Sequence, residues 1–288
     1  MSEPANAPVP STPLGIVCGG GSLPFAVADA AVRRGRRVVL FALHGWADPE
    51  RVAAYPHHWL RIGQLARGMR LAAKEQCRDV TFIGSVVRPS LLSLRPDLMS
   101  IRLFIDLFRG GDNRLQSGLG HVLERQGFHV LAPHEIAPEL KMPRGAISAA
   151  RPAEPDNRAI AIGLKLLAAT SPFDVGQAVV VADQHVLAVE GPEGTDQMLR
   201  RVAELRRNGR VKRRPGTGVL IKAPKIGQDS RIDLPTIGPG TIERAAEAEL
   251  AGVAVVAGTT LVAEPEQVTS MADRAGLFVV GVDADGSP

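Results

Sequence analysis

Apolar residues fall into short runs separated by stretches in which they recur at helical spacing. Leu14-Gly-Ile-Val-Cys18 is an apolar run of strand length, followed by Gly19-Gly20-Gly21-Ser22 and by helical spacing over 23–34. Gly35 stops that helix, and residues 38–43 form a second apolar run. The chain therefore opens as strand–helix–strand. The alternation continues with a helix over 65–76, a strand over 80–84 and a helix over 101–108 that is apolar nearly all round. A helix over 112–126 and a strand over 128–131 follow. Alternating strands and helices of these lengths predict a parallel sheet covered by helices.

Residues 141–155 are rich in Pro, Ala, Ser and Gly and read as a linker. A helix over 156–169 follows, then two apolar strands, 178–182 and 185–190, around an Asp183-Gln184 turn that predicts a hairpin. Thr195 stands where a helix cap is expected, ahead of Met198, Leu199, Val202 and Leu205 on one face. Strands over 218–221, 253–256, 260–263 and 277–282 and helices over 241–251 and 265–275 complete the pattern. The expected fold class is α/β. A Rossmann-like parallel-sheet domain spans 14–140, and a C-terminal mixed α/β domain spans 156–288. Residues 1–13, rich in Pro, Ser and Ala, read as a tail.

Composition narrows the function. Hydrophobic residues make up 45 % of 288, enough for a substantial core. The net charge of +4 lies in the first half and the second half is balanced. That bias suits a phosphate ligand or an anionic membrane surface and does not demand DNA. Aromatics are 4 %, with one Tyr, so a stacking platform for nucleic acid is unsupported. The two cysteines, Cys18 and Cys77, form no CxxC, as expected of a reduced cytoplasmic protein. Residues 1–13 carry no basic residue, unlike a signal peptide, and no apolar run approaches the ~18 residues of a membrane span. The expected location is cytoplasmic, soluble or peripheral to the membrane.

Several loops carry candidate chemistry. Gly20, Gly21, Ser22 and Leu23 lie at a strand-to-helix turn, where glycines and free N–H groups can approach a phosphate. A plain tight turn is the alternative. It is not a dinucleotide fingerprint: Pro24 occupies the third glycine position, and His44 stands where a ribose-binding acid would end the second strand. Gly84 and Ser85, with Arg88 beyond them, follow a later strand of the same sheet, where ligands sit at carboxyl ends. Gly111-Asp112 opens a helix, with Asp112 as its cap or a ligand contact. The greasy helix over 101–108 is either buried or a wall for acyl chains.

In the C-terminal half, Glu190-Gly-Pro-Glu193-Gly194-Thr195-Asp196 is a charged loop just before a helix, suited to a charged, phosphorylated ligand, with Glu193, Thr195 and Asp196 at the helix start, and Arg206 to Arg214 is a basic cluster. The richest loop is Lys222-Ala-Pro-Lys225-Ile-Gly-Gln-Asp-Ser-Arg231-Ile-Asp233-Leu-Pro-Thr236-Ile-Gly238. Asp233 lies outside any helical pattern, among Gly and Pro, where a carboxylate can hold Mg²⁺ or bond its own turn. Lys222 and Lys225 would offset charge on phosphoryl oxygens. The seven His residues show no metal spacing, so zinc is not expected, and Ser-His-Asp catalysis lacks a G-x-S-x-G motif.

In chain order, the Gly-Gly-Gly-Ser-Leu-Pro turn, Gly111-Asp112, His134-Glu135, Glu193-Gly194-Thr195-Asp196 with Met198-Leu199-Arg200-Arg201, Lys222-Ala-Pro-Lys225 and Arg231-Ile-Asp233-Leu-Pro-Thr236 are similar to a known set. From about residue 14 to 283 the chain resembles the metal-dependent UDP-2,3-diacylglucosamine pyrophosphatases of the lipid A pathway. This is their two-domain type, distinct from the calcineurin-like enzymes. Ser85 departs from the Gly-Asn-Val of that family. The resemblance implies hydrolysis to UMP and 2,3-diacylglucosamine 1-phosphate by water attack on the α-phosphorus. It also implies Mg²⁺ without NAD, a homodimer, substrate between the two domains, and Asp233 as catalytic and metal-binding residue. Asp196 and Lys222 are the further catalytic candidates. Gly20, Gly21, Ser22, Leu23, Gly84, Ser85, Gly111, Asp112, Glu135, Thr195 and Thr236 are the substrate contacts expected from loop placement. Contact with the inner-membrane surface is expected, and no nucleic acid. The rival readings are a non-catalytic nucleotide-sugar-binding regulator, a nucleic-acid-binding protein using Arg200 to Arg214, and an NAD-dependent oxidoreductase.

Overall fold

The computed structural model describes residues 12–86, 120, 122–173, 175–211, 214, 216–225 and 234–284. The chain divides into two compact units, Met1–Pro138 and Glu139–Pro288. Each is an α/β unit.

The first unit contains β1 (Leu14–Cys18), α1 (Leu23–Arg33), β2 (Val38–Leu43), α2 (Pro49–Val52), β3 (His57–Leu60), α3 (Leu65–Lys74), β4 (Asp79–Ile83), β5 (His129–Val130) and α4 (Pro133–Ile136). Its five strands pair in the order β3-β2-β1-β4-β5, all parallel. The central strand β1 is apolar throughout because helices cover both faces of such a sheet. Pro24 sits in the first turn of α1, where its missing N–H leaves no bond unmade. Phe25, Val27, Ala28 and Ala31 of α1 are buried, and Arg51 lies 4.4 Å from the Phe25 ring centroid. Two elements, α2 and β3, carry no apolar period. Asp48 starts α2 by accepting from the backbone N–H groups of Glu50 (3.0 Å) and Arg51 (3.3 Å). The edge strand β3, His-His-Trp-Leu, is only partly buried.

The second unit contains β6 (Gly145–Ala146), α5 (Glu154–Thr170), β7 (Ala178–Ala182), β8 (His185–Val189), α6 (Gly194–Arg207), β9 (Val219–Lys222), β10 (Thr236–Ile237), α7 (Pro239–Glu247), β11 (Gly252–Val256), β12 (Leu261–Val262), α8 (Pro265–Ala275) and β13 (Phe278–Val282). Six strands pair in the order β6-β13-β11-β9-β7-β8, and β10 pairs with β12 beside them. Strands β13, β11 and β9 run parallel; β6 and β7 run antiparallel to their neighbours. The β7–β8 hairpin turns through Asp183 and Gln184, both at positive φ, as a two-residue hairpin turn requires.

Apolar clusters cover both faces of this sheet. Ile160, Leu164 and Leu167 of α5 join one; Met198 and Val202 of α6, Ile242 of α7 and Val268 of α8 join the other. Each such side chain contributes about 1.5–3 kcal/mol on burial. Gly163 lets α5 approach β9 closely, since a Cβ there would lie 2.8 Å from Ile221.

The 141–155 stretch is not a free linker. Met142 is in the core, β6 pairs with β13, and the Ser148 hydroxyl accepts from the backbone N–H of Val279 at 2.8 Å.

Candidate active site

In the first unit, the loops after β1 and β4 meet. Gly19 N–H donates to the Ile83 carbonyl (2.8 Å), and Gly20 and Ser85 exchange two backbone hydrogen bonds of 2.9 and 3.0 Å. A Cβ on Gly84 would fall 2.6 Å from the Gly20 carbonyl oxygen, and one on Gly19 would fall 2.9 Å from the Gly84 carbonyl. These two glycines are therefore required by backbone packing on backbone. Gly21, at φ +92 with open space where a Cβ would be, is required by its conformation alone.

The strand order turns around β1, with β2 on one side and β4 on the other. Ligands of parallel α/β sheets bind beyond the carboxyl ends at such a point. Gly20, Gly21, Ser22, Gly84 and Ser85 converge there, partly or fully exposed. Ser22 makes no side-chain cap bond to α1. The Leu23 side chain is buried, so that position can offer only its backbone.

Glu135 has a local partner: its carboxylate accepts from the Ala132 N–H at 2.6 Å, at the start of α4. Neither cysteine of the chain suits nucleophilic work. Burial pushes the Cys18 thiol up to about 12 and the Cys77 thiol up to about 11. Glu75 is held below the ordinary carboxylate range, first by its hydrogen bond to His58 (3.0 Å) and also by Arg37 at 2.6 Å.

In the second unit, Lys222 ends β9 with only 6 % of its surface exposed. Strand alternation places it on the face of Leu220, toward the cluster shared with α6, α7 and α8. Its Nζ donates to the Thr236 carbonyl at 2.8 Å. The Thr236 hydroxyl in turn donates to the Leu234 carbonyl (3.2 Å). Lys222 thus ties the end of β9 to β10, the two strands that flank residues 226–233.

The sheet continues this row. Lys222 pairs with Ala178, and Ala178 accepts from the Glu190 N–H at 2.9 Å. Glu190 is 8 % exposed. One carboxylate oxygen accepts from the Thr195 hydroxyl and the other from the Gln177 N–H, both at 2.7 Å. Lys222 and Glu190 share a face across two strand spacings, roughly 10 Å. Glu190 opens the charged loop over 190–196 that the sequence offers for a charged ligand, but no role of its own is legible there. Its signal was its place at the end of an apolar strand, immediately before a Gly-Pro loop.

Thr195 is not the helix cap. The helix begins at Gly194 after Glu193, and the Thr195 hydroxyl turns to Glu190. Glu193 accepts from Arg201 at 3.1 Å, and Asp196 is exposed in the first turn. The basic cluster also has a structural member. Arg206 is buried, donates to the Thr217 (2.5 Å) and Arg214 (3.3 Å) carbonyls, and has its pKa lowered by burial.

Gly111, Asp112, Asp233, Arg88 and the greasy segment over 101–108 lie outside the described residues. Among the described residues no three His, Cys, Asp or Glu side chains converge as a metal cage. Nor is any helix among them long and apolar enough to cross a membrane.

Two family models match the chain end to end. The LpxI N-terminal domain matches residues 13–140 and the LpxI C-terminal domain residues 143–280. The chain belongs to the LpxI family. The LpxI boundary between 140 and 143 falls close to the division at Pro138 and Glu139. A relative from Caulobacter vibrioides, the UDP-2,3-diacylglucosamine pyrophosphatase LpxI, is 40 % identical over 280 residues. The match covers 96 % of this chain and 99 % of that one. Both clusters, the glycine turn and the Lys222–Glu190 row, lie within the residues that the two LpxI domain models match.

Proposed function

We propose that this chain hydrolyses UDP-2,3-diacylglucosamine to UMP and 2,3-diacylglucosamine 1-phosphate, a step of lipid A synthesis. The observation that carries the proposal is the 40 % identity, over 96 % of the chain, to a relative whose name states that activity. The residues fit a diphosphate ester. The first unit presents a glycine turn at the switch point of a parallel sheet, and the second holds a buried lysine at the end of β9.

In the proposed reaction, water attacks the α-phosphorus, the bond from that phosphorus to the bridging oxygen breaks, and the bridging oxygen leaves with the lipid phosphate. Lys222 offsets negative charge on the phosphoryl oxygens while fixing β10 through Thr236. Asp233 is assigned as the catalytic carboxylate and the Mg²⁺ ligand. Mg²⁺ binds through one or two carboxylates with waters and substrate phosphates, so the lack of a three-residue cage among the described residues is compatible with it. When bound, the ion would neutralise the diphosphate and lower the pKa of an attacking water. A homodimer working at the inner-membrane surface completes the proposal.

Incubating the purified chain with UDP-2,3-diacylglucosamine tests this. UMP should appear with Mg²⁺ and stop when EDTA is added in excess, and return when Mg²⁺ is restored. Absence of UMP under every divalent cation would refute the activity; undiminished release in EDTA would refute the metal.

A further inference from the structure

We infer that Thr195 meets the substrate only as a hydrogen-bond acceptor, and that Glu190 is the positioning residue that fixes it so. The inference rests on the nucleotide-sugar reading above and adds to it which part of that ligand Thr195 contacts.

A threonine hydroxyl carries one proton and two lone pairs. The Thr195 proton is committed: the hydroxyl donates to a Glu190 carboxylate oxygen at 2.7 Å. Glu190 has little freedom to turn away. Its other oxygen accepts from the Gln177 N–H at 2.7 Å, its carbonyl accepts from the Gly176 N–H at 3.1 Å, and it is 8 % exposed. Gly176 presses against it so closely that a Cβ there would lie 2.6 Å from the Glu190 Cβ and Cγ. Thr195, by contrast, is partly exposed. With its proton given to Glu190, the Thr195 hydroxyl has only oxygen lone pairs left to offer a ligand.

Phosphate oxygens also accept, so lone pairs of Thr195 facing a diphosphate would repel it. The matching chemistry is an O–H or N–H donor: a sugar or ribose hydroxyl, or the N–H of an amide or imide. On this face of the sheet the cation of Lys222 suits the anionic part of the ligand and Thr195 suits its donor groups. If the contact merely staples the end of β8 to α6, changing its polarity while keeping its shape will alter stability alone.

Glu190→Gln makes that change. The side-chain oxygen keeps the Gln177 N–H, and the new NH₂ donates to Thr195, turning the hydroxyl proton outward. Steady-state UMP release and melting temperature are measured for the full chain and for Glu190→Gln, Thr195→Ala and Thr195→Ser. Inorganic pyrophosphate, which has the diphosphate without sugar or base donors, serves as competing inhibitor.

The expected result is a KM raised about tenfold in Glu190→Gln and Thr195→Ala, the worth of one site hydrogen bond, with kcat changed less than about threefold. Thr195→Ser restores at least about a third of wild-type kcat/KM, and pyrophosphate inhibition is unaltered throughout. An unchanged KM in Thr195→Ala overturns the inference, as does an unchanged KM in a folded Glu190→Gln. Pyrophosphate inhibition that weakens in step with KM also overturns it, since Thr195 would then touch the diphosphate. Should Glu190→Gln fail to fold, the Thr195 pair decides. A wild-type chain that releases no UMP removes the parent reading and this one together, which separates the two failures.

Discussion

Lys222 has a structural role in the fold and, in the proposed reaction, a chemical one. A buried ammonium is costly unless hydrogen-bonded, and here the Thr236 carbonyl takes one of its protons. Lys222→Met keeps the aliphatic length and removes both the charge and the tether. Turnover should fall about 100-fold or more, the scale for losing a preorganised charge at a phosphoryl group. Lys222→Arg should not recover it, because the wider planar fork does not fit a site built for a compact ammonium. Turnover within threefold of wild type for Lys222→Met would remove Lys222 from the catalytic group. Lysine was conspicuous in the sequence because it opened a run of Gly, Pro and charge. Glu190 opens the second such loop, but its burial is not legible, because it is created by Gly176 and Ala178, which reach it only when β7 and β8 pair. Thr195 has the sequence position of a cap because it precedes the first apolar turn, and nothing local in sequence reveals a competing acceptor five residues earlier.

At the scale of elements, the glycine loops after β1 and β4 give the sharpest contrast. Gly84→Ala would force a Cβ against the Gly20 carbonyl oxygen at 2.6 Å, at a φ of +103. Backbone strain and overpacking together predict a loss of about 2–5 kcal/mol. Gly21→Ala meets open space and carries only the cost of its φ of +92, about 1–2 kcal/mol. Denaturant unfolding of the two variants measures the difference. Equal losses would mean that the two loops do not pack backbone to backbone.

The sequence announced these loops because they separate strong apolar runs. For the same reason β1, β2 and β7 and the C-terminal helix α8 begin and end where the periodicity puts them. The elements that escaped are short or sit at edges: α2, β3, β6 and β10 are two to four residues each. Too few positions exist in any of them to display a period; pairing with neighbouring strands decides that β3, β6 and β10 form, and the Asp48 cap decides that α2 does. The attachment of the 141–155 stretch escapes for a related reason, since it runs through a two-residue strand, one buried Met and one Ser hydroxyl, too little to leave a pattern.

The whole molecule carries two α/β units, each with its own sheet and core. The α/β class is legible in the alternation of strand and helix patterns, and membership of the LpxI family in the order of six motifs spread along the chain. What no periodicity carries is the chemistry between phosphate, metal and carboxylate, because it depends on groups brought together from distant positions. The central claim is that this chain breaks the diphosphate by delivering water to the α-phosphorus, with Asp233 indispensable. Running the reaction in H₂¹⁸O with Mg²⁺, for the wild type and for Asp233→Ala, tests it most directly. The account predicts one ¹⁸O in UMP and none in 2,3-diacylglucosamine 1-phosphate, with release by Asp233→Ala lower by about 100-fold or more. Label in the sugar phosphate, or wild-type rates from Asp233→Ala, would contradict it.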